Sequence, residues 1–268
     1  MTLGILAAME QEISLVCEMI ENPVRTELGG RTFYRGQLNG IDCVTCFSKW
    51  GKVAAAITTT LMIEHFHITD LIFIGTAGAL SDKLNVGDIV VARRLVQHDL
   101  DARPIIRRFQ IPLTDKIYIE SDPKLSELAA HAISTLISKE FCKIVGTEAA
   151  DEFSFIQPEL WRGDVASGDQ FINNDEKRQE LIGLLPEVLC VEMEGAAVAQ
   201  VCYEFQLPFT VIRIISDKAN HDARVDFGHF IKEVANIFSR AIIQELTKEL
   251  TIDNLEFKIQ SITFNFQF

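Results

Sequence analysis

Apolar and polar positions along this chain repeat with two periods, roughly 3.6 and 2, and the switching between them outlines an α/β protein. Residues 3–8 form a continuous apolar run of strand length, after which Ile13, Val16, Cys17 and Ile20 recur at helical spacing. Strand then helix is the repeating unit of α/β folds. Residues 31–44 alternate about Asn39-Gly40, a pair suited to a two-residue type I′ turn, so an antiparallel hairpin is expected early in the sheet. Helices are predicted over 53–65, 122–138, 195–205 and 227–250, and strands over 71–74, 87–92, 188–191 and 209–215. The strand at 71–74 is expected to leave the sheet through a turn at Gly75-Thr76-Ala77-Gly78. Leu255, Phe257, Ile259, Ile262, Phe264 and Phe266 alternate, which predicts a strand-like extension over 251–268 beyond a main domain at 1–250, serving as an edge strand, an oligomer contact or a tail.

Composition narrows the function classes. With 268 residues and 48% hydrophobic content, the chain can bury one large core. A net charge of −13 opposes phosphate backbones and anionic lipid, and no basic block offsets it, so neither nucleic acid nor a membrane is an expected partner. Glu10 and Glu12 interrupt the first apolar run too early for a signal peptide, and no run reaches membrane-spanning length, so a cytoplasmic location is expected. Six scattered cysteines suit a reduced interior, and Cys43-Val44-Thr45-Cys46 lies in a strand-like run without a second pair or nearby histidines, which reads as core rather than metal ligands.

The candidate chemistry is carboxylate chemistry. Glu192 and Glu194 flank Met193, and on an extended segment two residues apart share a face. Two acids with a thioether between them suit vicinal hydroxyls and an apolar ring, the features of a ribose. The competing reading is an acid favoured at the positive end of a helix. Ligands of open α/β sheets bind at the carboxyl ends of strands, where Glu12, Gly75-Thr76-Ala77-Gly78, Glu192 to Glu194 and Ser216-Asp217 all fall, so one shared cleft is expected. His98-Asp99 looks like a catalytic pair, yet a histidine in a loop is equally a satisfied structural residue, and it is not included in the catalytic set.

In order and spacing these segments resemble the 5′-methylthioadenosine/S-adenosylhomocysteine nucleosidases of the nucleoside phosphorylase/nucleosidase superfamily. The resemblance covers residues 1 to about 250 and rests on Gly4-Ile5-Leu6-Ala7-Ala8-Met9-Glu10-Gln11-Glu12, Gly51-Lys52-Val53-Ala54-Ala55-Ala56, Gly75-Thr76-Ala77-Gly78, Val86-Gly87-Asp88-Ile89-Val90, Ser167-Gly168-Asp169-Gln170-Phe171-Ile172-Asn173, Val191-Glu192-Met193-Glu194-Gly195-Ala196-Ala197 and Ser216-Asp217. It implies a three-layer α/β/α sandwich around a mixed twisted sheet, a homodimer, and hydrolysis of the N-glycosidic bond of adenine nucleosides with no metal or cofactor. Carried over by position, Glu12 is the implied general base and Asp217 the general acid for the leaving adenine, with Ser216 positioning it. Glu194 is implied at the ribose hydroxyls, Met193 against the sugar, Phe171 stacked on the base and the Ile172 main chain at its edge, with Met9, Thr76 and Phe227 lining the remainder.

Three departures from the family pattern are expected to border the ligand: Trp50 before Gly51, Ala79 after Gly78, and the loop at 101–109, which is less aromatic than usual. They bear on the 5′ substituent, so methylthio, homocysteinyl, 5′-deoxy and futalosine-type tails all fit. A phosphorylase of the same superfamily would need an arginine clamp, for which Arg93, Arg94, Arg103 and Arg213 are available, although Glu12 would repel phosphate. A non-catalytic nucleoside-binding protein would need no water-activating base, and a dinucleotide-binding oxidoreductase would need a GxGxxG turn that the chain lacks.

Overall fold

The computed structural model describes residues 1–139, 158–220, 222–223, 227–228, 230–231 and 234–265, with side chains as far as Asp253. Its strands are β1 (Thr2–Ala7), β2 (Glu21–Leu28), β3 (Arg31–Leu38), β4 (Ile41–Phe47), β5 (Asp70–Ala79), β6 (Ile89–Gln97), β7 (Tyr118–Glu120), β8 (Leu160–Ser167), β9 (Val188–Glu192) and β10 (Phe209–Asp217). The helices are α1 (Glu10–Glu18), α2 (Lys52–Glu64), α3 (Pro123–Ser138), α4 (Asp175–Leu184), α5 (Gly195–Phe205) and α6 (Ala235–Asn265).

Side-chain alternation along the central strands builds two apolar layers, one on each sheet face. Leu3, Ile5 and Ala7 of β1, with Ile72 and Ile74 of β5, face α1, α3 and α6. Leu6, Leu71 and Phe73 face the opposite side, where α2 packs on α5. Both faces of the central strands are therefore covered, which is why these segments read as unbroken apolar runs. The result is the expected three-layer α/β/α sandwich around a mixed sheet.

Strand order is β10-β6-β8-β9-β5-β1-β4-β3-β2, with β7 beside β6. Because β5 also pairs with β10, strands β5, β10, β6, β8 and β9 close into a ring, while β1, β4, β3 and β2 fan outward. The hairpin turns where expected: Asn39 and Gly40 have φ of 50° and 77°, the double left-handed geometry of a type I′ turn.

Several segments differ from their expected form. Gly75 to Gly78 are not a turn, because β5 runs on through Ala79 and pairs with β9 and β10 there. The helix expected over 227–250 is interrupted: Phe227, Gly228, Phe230 and Ile231 are helical, Val234 is in a turn, and α6 starts at Ala235. The extension is no strand, since α6 continues through Asn265. Leu255, Ile259 and Ile262 are also spaced four and three apart, a helical period, and no Gly or Pro between 235 and 265 stops the helix. Residues 266–268 lie outside the described set. Among the described residues no helix is long and apolar enough to cross a membrane.

Candidate active site

A cavity of about 690 Å³ opens where β1, β5, β9 and β10 end, and every residue of the expected site lines it: Glu12, Asp217, Met9, Thr76, Phe171, Ile172, Met193, Glu194, Ser216 and Phe227. Ala8 and Gln170 also line it without having been expected, and neither carries a charge that the sequence pattern could have signalled.

Glu12 enters through a helix start. It is the third residue of α1, and its Oε2 reaches back to accept from the N–H groups of Met9 (3.0 Å) and Ala8 (3.1 Å). Its Oε1 accepts from the Thr76 N–H and hydroxyl, each at 2.9 Å. Burial pushes this carboxyl above the ordinary carboxylate range, while the Thr76 donors and the Arg213 charge pull it back.

Glu192 and Glu194 divide the two roles that the sequence left open. The Glu192 carboxylate caps α5, accepting from the N–H groups of Glu194 (3.0 Å) and Gly195 (2.8 Å), and also binds Ser167 Oγ and Arg213 (2.8 Å). Its hydrogen-bonding capacity is used by the protein itself. Among the described residues Glu194 has one donor, the Gly51 N–H at 2.7 Å, which leaves acceptor capacity facing the cavity. Burial and then the neighbouring Glu192 charge raise its pKa.

Asp217 ends β10. Ser216 Oγ donates to its Oδ2 at 2.8 Å and the Ala219 N–H to its Oδ1 at 2.8 Å, so the carboxyl group is held in orientation from both sides. The glycines of β5 now have a reason. A Cβ on Gly75 would lie 2.9 Å from Glu12 Oε1, and one on Gly78 would lie 2.8 Å from Asp217 Oδ1. Neither glycine has positive φ, so what they supply is room for the acids rather than a turn.

Phe171 is 42% exposed and meets Phe227 edge-on at 5.6 Å, so it stands at the cavity as a platform rather than in the core. Trp50 also lines the cavity, as expected of that departure. Ala79 does not: it is fully buried in the sheet, paired with Cys190. Nor do residues 101–109 line the cavity. His98 is buried outside it, its ring against Gly168, and among the described residues its Nε2 has no hydrogen-bond partner.

The four candidate arginines are committed elsewhere. Arg93 and Arg94 both bind the buried Asp164, Arg103 binds Asp101, and Arg213 binds Glu192; none lines the cavity. Cys43 and Cys46 are buried free thiols in β4, both pushed up to about 12 by burial, as a core reading of that pair requires.

Comparison with known proteins agrees with this geometry. The sequence signature of the phosphorylase superfamily matches residues 2–248. The 5′-methylthioadenosine/S-adenosylhomocysteine nucleosidase of Shewanella halifaxensis is 35% identical over 250 residues, which is 93% of this chain and all of that protein. The Neisseria meningitidis enzyme of the same name, solved with methylthio-immucillin-A, superposes with a TM-score of 0.81 at 34% identity, covering 92% of this chain and 98% of that one. Futalosine hydrolase of Helicobacter pylori superposes with a TM-score of 0.77, also at 34% identity, over 92% and 97% of the two chains. With its sheet, its cavity and these likenesses in agreement, the chain belongs to the 5′-methylthioadenosine/S-adenosylhomocysteine nucleosidase family of the phosphorylase superfamily.

Proposed function

We propose that this protein is an N-glycosidase that hydrolyses 5′-methylthioadenosine and S-adenosylhomocysteine, releasing adenine. One observation carries the reading: Glu12, Glu194 and Asp217, each held by different partners, share one cavity with an exposed aromatic platform. Adenine stacks on Phe171, the Ile172 main chain reads its edge, and Phe227 closes that end. Glu194 accepts from the ribose hydroxyls, with Met193 against the sugar and Met9 and Thr76 lining the rest.

The C1′–N9 bond breaks with its electron pair going to the base, while Asp217, oriented by Ser216, delivers a proton at N7 so that adenine leaves neutral. Water forms the new bond to C1′ and passes a proton to Glu12. The transition state has oxocarbenium character, so the ribose contacts and nearby carboxylates strengthen as positive charge develops. Lifting Glu12 above the ordinary range improves it as a base near neutrality. No metal or organic cofactor enters these steps.

Water rather than phosphate is the nucleophile in this reading. A phosphate dianion beside Glu12 would meet like charge, and every candidate arginine is already paired. The presence of Glu12, Glu194 and Asp217 together likewise favours an enzyme over a binding protein, which needs no water-activating base. The likeness to futalosine hydrolase makes a larger 5′ tail the second reading.

Methylthioadenosine, S-adenosylhomocysteine and aminodeoxyfutalosine are each incubated with the protein, with and without excess phosphate, and released adenine is quantified. Adenine from the first two at phosphate-independent rates supports the proposal, release from aminodeoxyfutalosine alone moves the assignment to the second reading, and a phosphate requirement with a sugar 1-phosphate product overturns hydrolysis.

A homodimer acting in the cytoplasm completes the proposal. Trp50, Val53 and Ile57 present an exposed apolar strip at the start of α2, and Ile105 is 88% exposed, surface that a two-fold contact would cover. Phe109, in the same loop as Ile105, does not extend that surface, being buried in a core cluster with Leu80 and Val96. Light scattering at micromolar concentration should give twice the chain mass.

A further inference from the structure

Three loops meet beside the cavity without lining it as ligands: the entrance to α2 at Gly51-Lys52, the end of β6 at Gln97 to Asp99, and the segment after β8 that leads into Phe171 and Ile172. Their junction is a closed set of polar contacts. Lys52 Nζ donates to Asp99 Oδ1 at 2.6 Å and to Gln97 Oε1 at 3.1 Å. Asp99 Oδ2 accepts from the Asp169 N–H at 2.9 Å, and Asp169 Oδ1 accepts from the Lys52 N–H at 2.8 Å. Asp169 is thereby held by main chain and side chain at once, two residues before Phe171.

The junction also reaches the sugar end of the cavity, because the Gly51 N–H donates to Glu194. Gly51 has φ of 89°, a conformation that favours glycine, and a Cβ there would come 3.0 Å from Asp169 Oδ1. On the far side Gly168 lies so close to the His98 ring that a Cβ would approach it within 2.4 Å. Both glycines permit a packing that larger residues would force apart.

We propose that Lys52, Asp99 and Asp169 form a positioning clamp that fixes the separation between the base-reading segment, Phe171 and Ile172, and the ribose carboxylate, Glu194. The clamp touches neither the base nor the sugar. Its effect is felt by a ligand that spans both, since a nucleoside must satisfy the two ends together, whereas free adenine uses one. The ion pair is half-buried, with both side chains 18% exposed, so it is only partly screened by solvent. Burial raises the Asp99 carboxyl, but the bonds from Lys52 and the Asp169 N–H outweigh it, so the group lies below its ordinary range and stays ionised at working pH.

The inference rests on the nucleosidase reading for the identity of the ligand, and calorimetric binding of two probes separates the two. The probes are free adenine and methylthio-immucillin-A, a nucleoside analogue that is not cleaved, titrated into the full-length protein. Asp99→Asn keeps the size of the side chain but cannot accept both bonds, and should weaken the analogue about tenfold while leaving adenine within about twofold. Lys52→Met, which retains the main-chain bond to Asp169, should shift in the same direction by a smaller factor and carries the test if Asp99→Asn does not fold. Lys52→Arg should restore wild-type behaviour toward both probes. Equal weakening of adenine and analogue, or no change in either, would overturn the clamp. Failure of the wild-type protein to bind either probe would instead overturn the nucleosidase reading.

Discussion

Arg213 donates to Glu192 at 2.8 Å with both side chains sealed inside the protein, and this cation also draws on Glu12 and Glu194 through space. It packs over the Phe73 ring at 4.0 Å, so its position is set by the sheet core rather than by the cavity. One buried positive charge thus underlies Glu12, Glu192 and Glu194.

Removing that charge should be visible in the pH profile. As the proposed base Glu12 must be ionised, and its pKa already lies above the ordinary range, so adenine release should fall as pH drops through that raised value. Arg213→Met withdraws an influence that lowers the pKa, and the acidic limb of the pH–rate profile should move to higher pH. Leaving Glu192 buried without its partner should also cost about 3–5 kcal/mol, measured by urea denaturation. An unmoved acidic limb in folded protein would separate Arg213 from the base.

Glu194→Gln is expected to stabilise the fold. Because burial and the Glu192 charge raise its pKa, the native state holds a proton that the unfolded chain has released. Stability is therefore lost as pH rises from the unfolded value through the raised native one, and the loss is complete above it. Glutamine avoids this loss and can still accept the Gly51 N–H. The melting temperature of the variant relative to wild type should rise between pH 5 and pH 9, while kcat/KM falls because the ribose contacts weaken. A melting difference independent of pH would contradict the assignment.

Gly78→Ala tests the space around the acid. The added methyl would sit 2.8 Å from Asp217 Oδ1 and 3.0 Å from the Ala219 Cβ, so the carboxyl group must shift. Displacement of a reacting group by about 1 Å can cost on the order of 100-fold in rate, and kcat should fall by about that factor with a smaller change in KM. Wild-type turnover in this variant would show that Asp217 placement is not critical.

Asp217→Asn should fold and bind methylthio-immucillin-A, since asparagine can keep the Ala219 bond through Oδ1. It cannot deliver the proton, so turnover should fall by about 100-fold to 10,000-fold. Single-turnover release of adenine at a rate within a few fold of wild type would remove Asp217 from the mechanism.

What the sequence made legible follows from which groups are apolar. Central strands buried on both faces, such as β1 and β10, stand out as unbroken hydrophobic runs. The segments left unread carry their structure on polar groups. β2 is an exposed edge containing Pro23, so it shows no alternation of burial. β8 places Asp164 at full burial, and only the arginine pair Arg93 and Arg94 makes that tolerable. α4 turns Arg178 inward, where it donates to the Leu80 carbonyl at 2.7 Å and to Asp82 at 2.6 Å, so one of its inward positions is charged. The site residues were legible for a different reason: their order and spacing along the chain match a family motif. How Glu192 and Glu194 share their tasks was not legible, because it depends on Arg213 and Ser167, distant in sequence.

Gly75 and Gly78 sit on one strand, one beside each acid of the proposed reaction. At about 3.3 Å per residue they lie roughly 10 Å apart, a spacing set by strand geometry and locked by pairing with β10 and β9. β5 thus serves as a ruler between the place where water is activated and the place where the base departs. In the proposed reaction, substitutions at the mouth, around Trp50, are expected to retune which 5′ substituent is accepted without touching that ruler. That reading would put substrate preference and bond cleavage on separate parts of the chain, so that the first could drift through evolution while the second stays fixed.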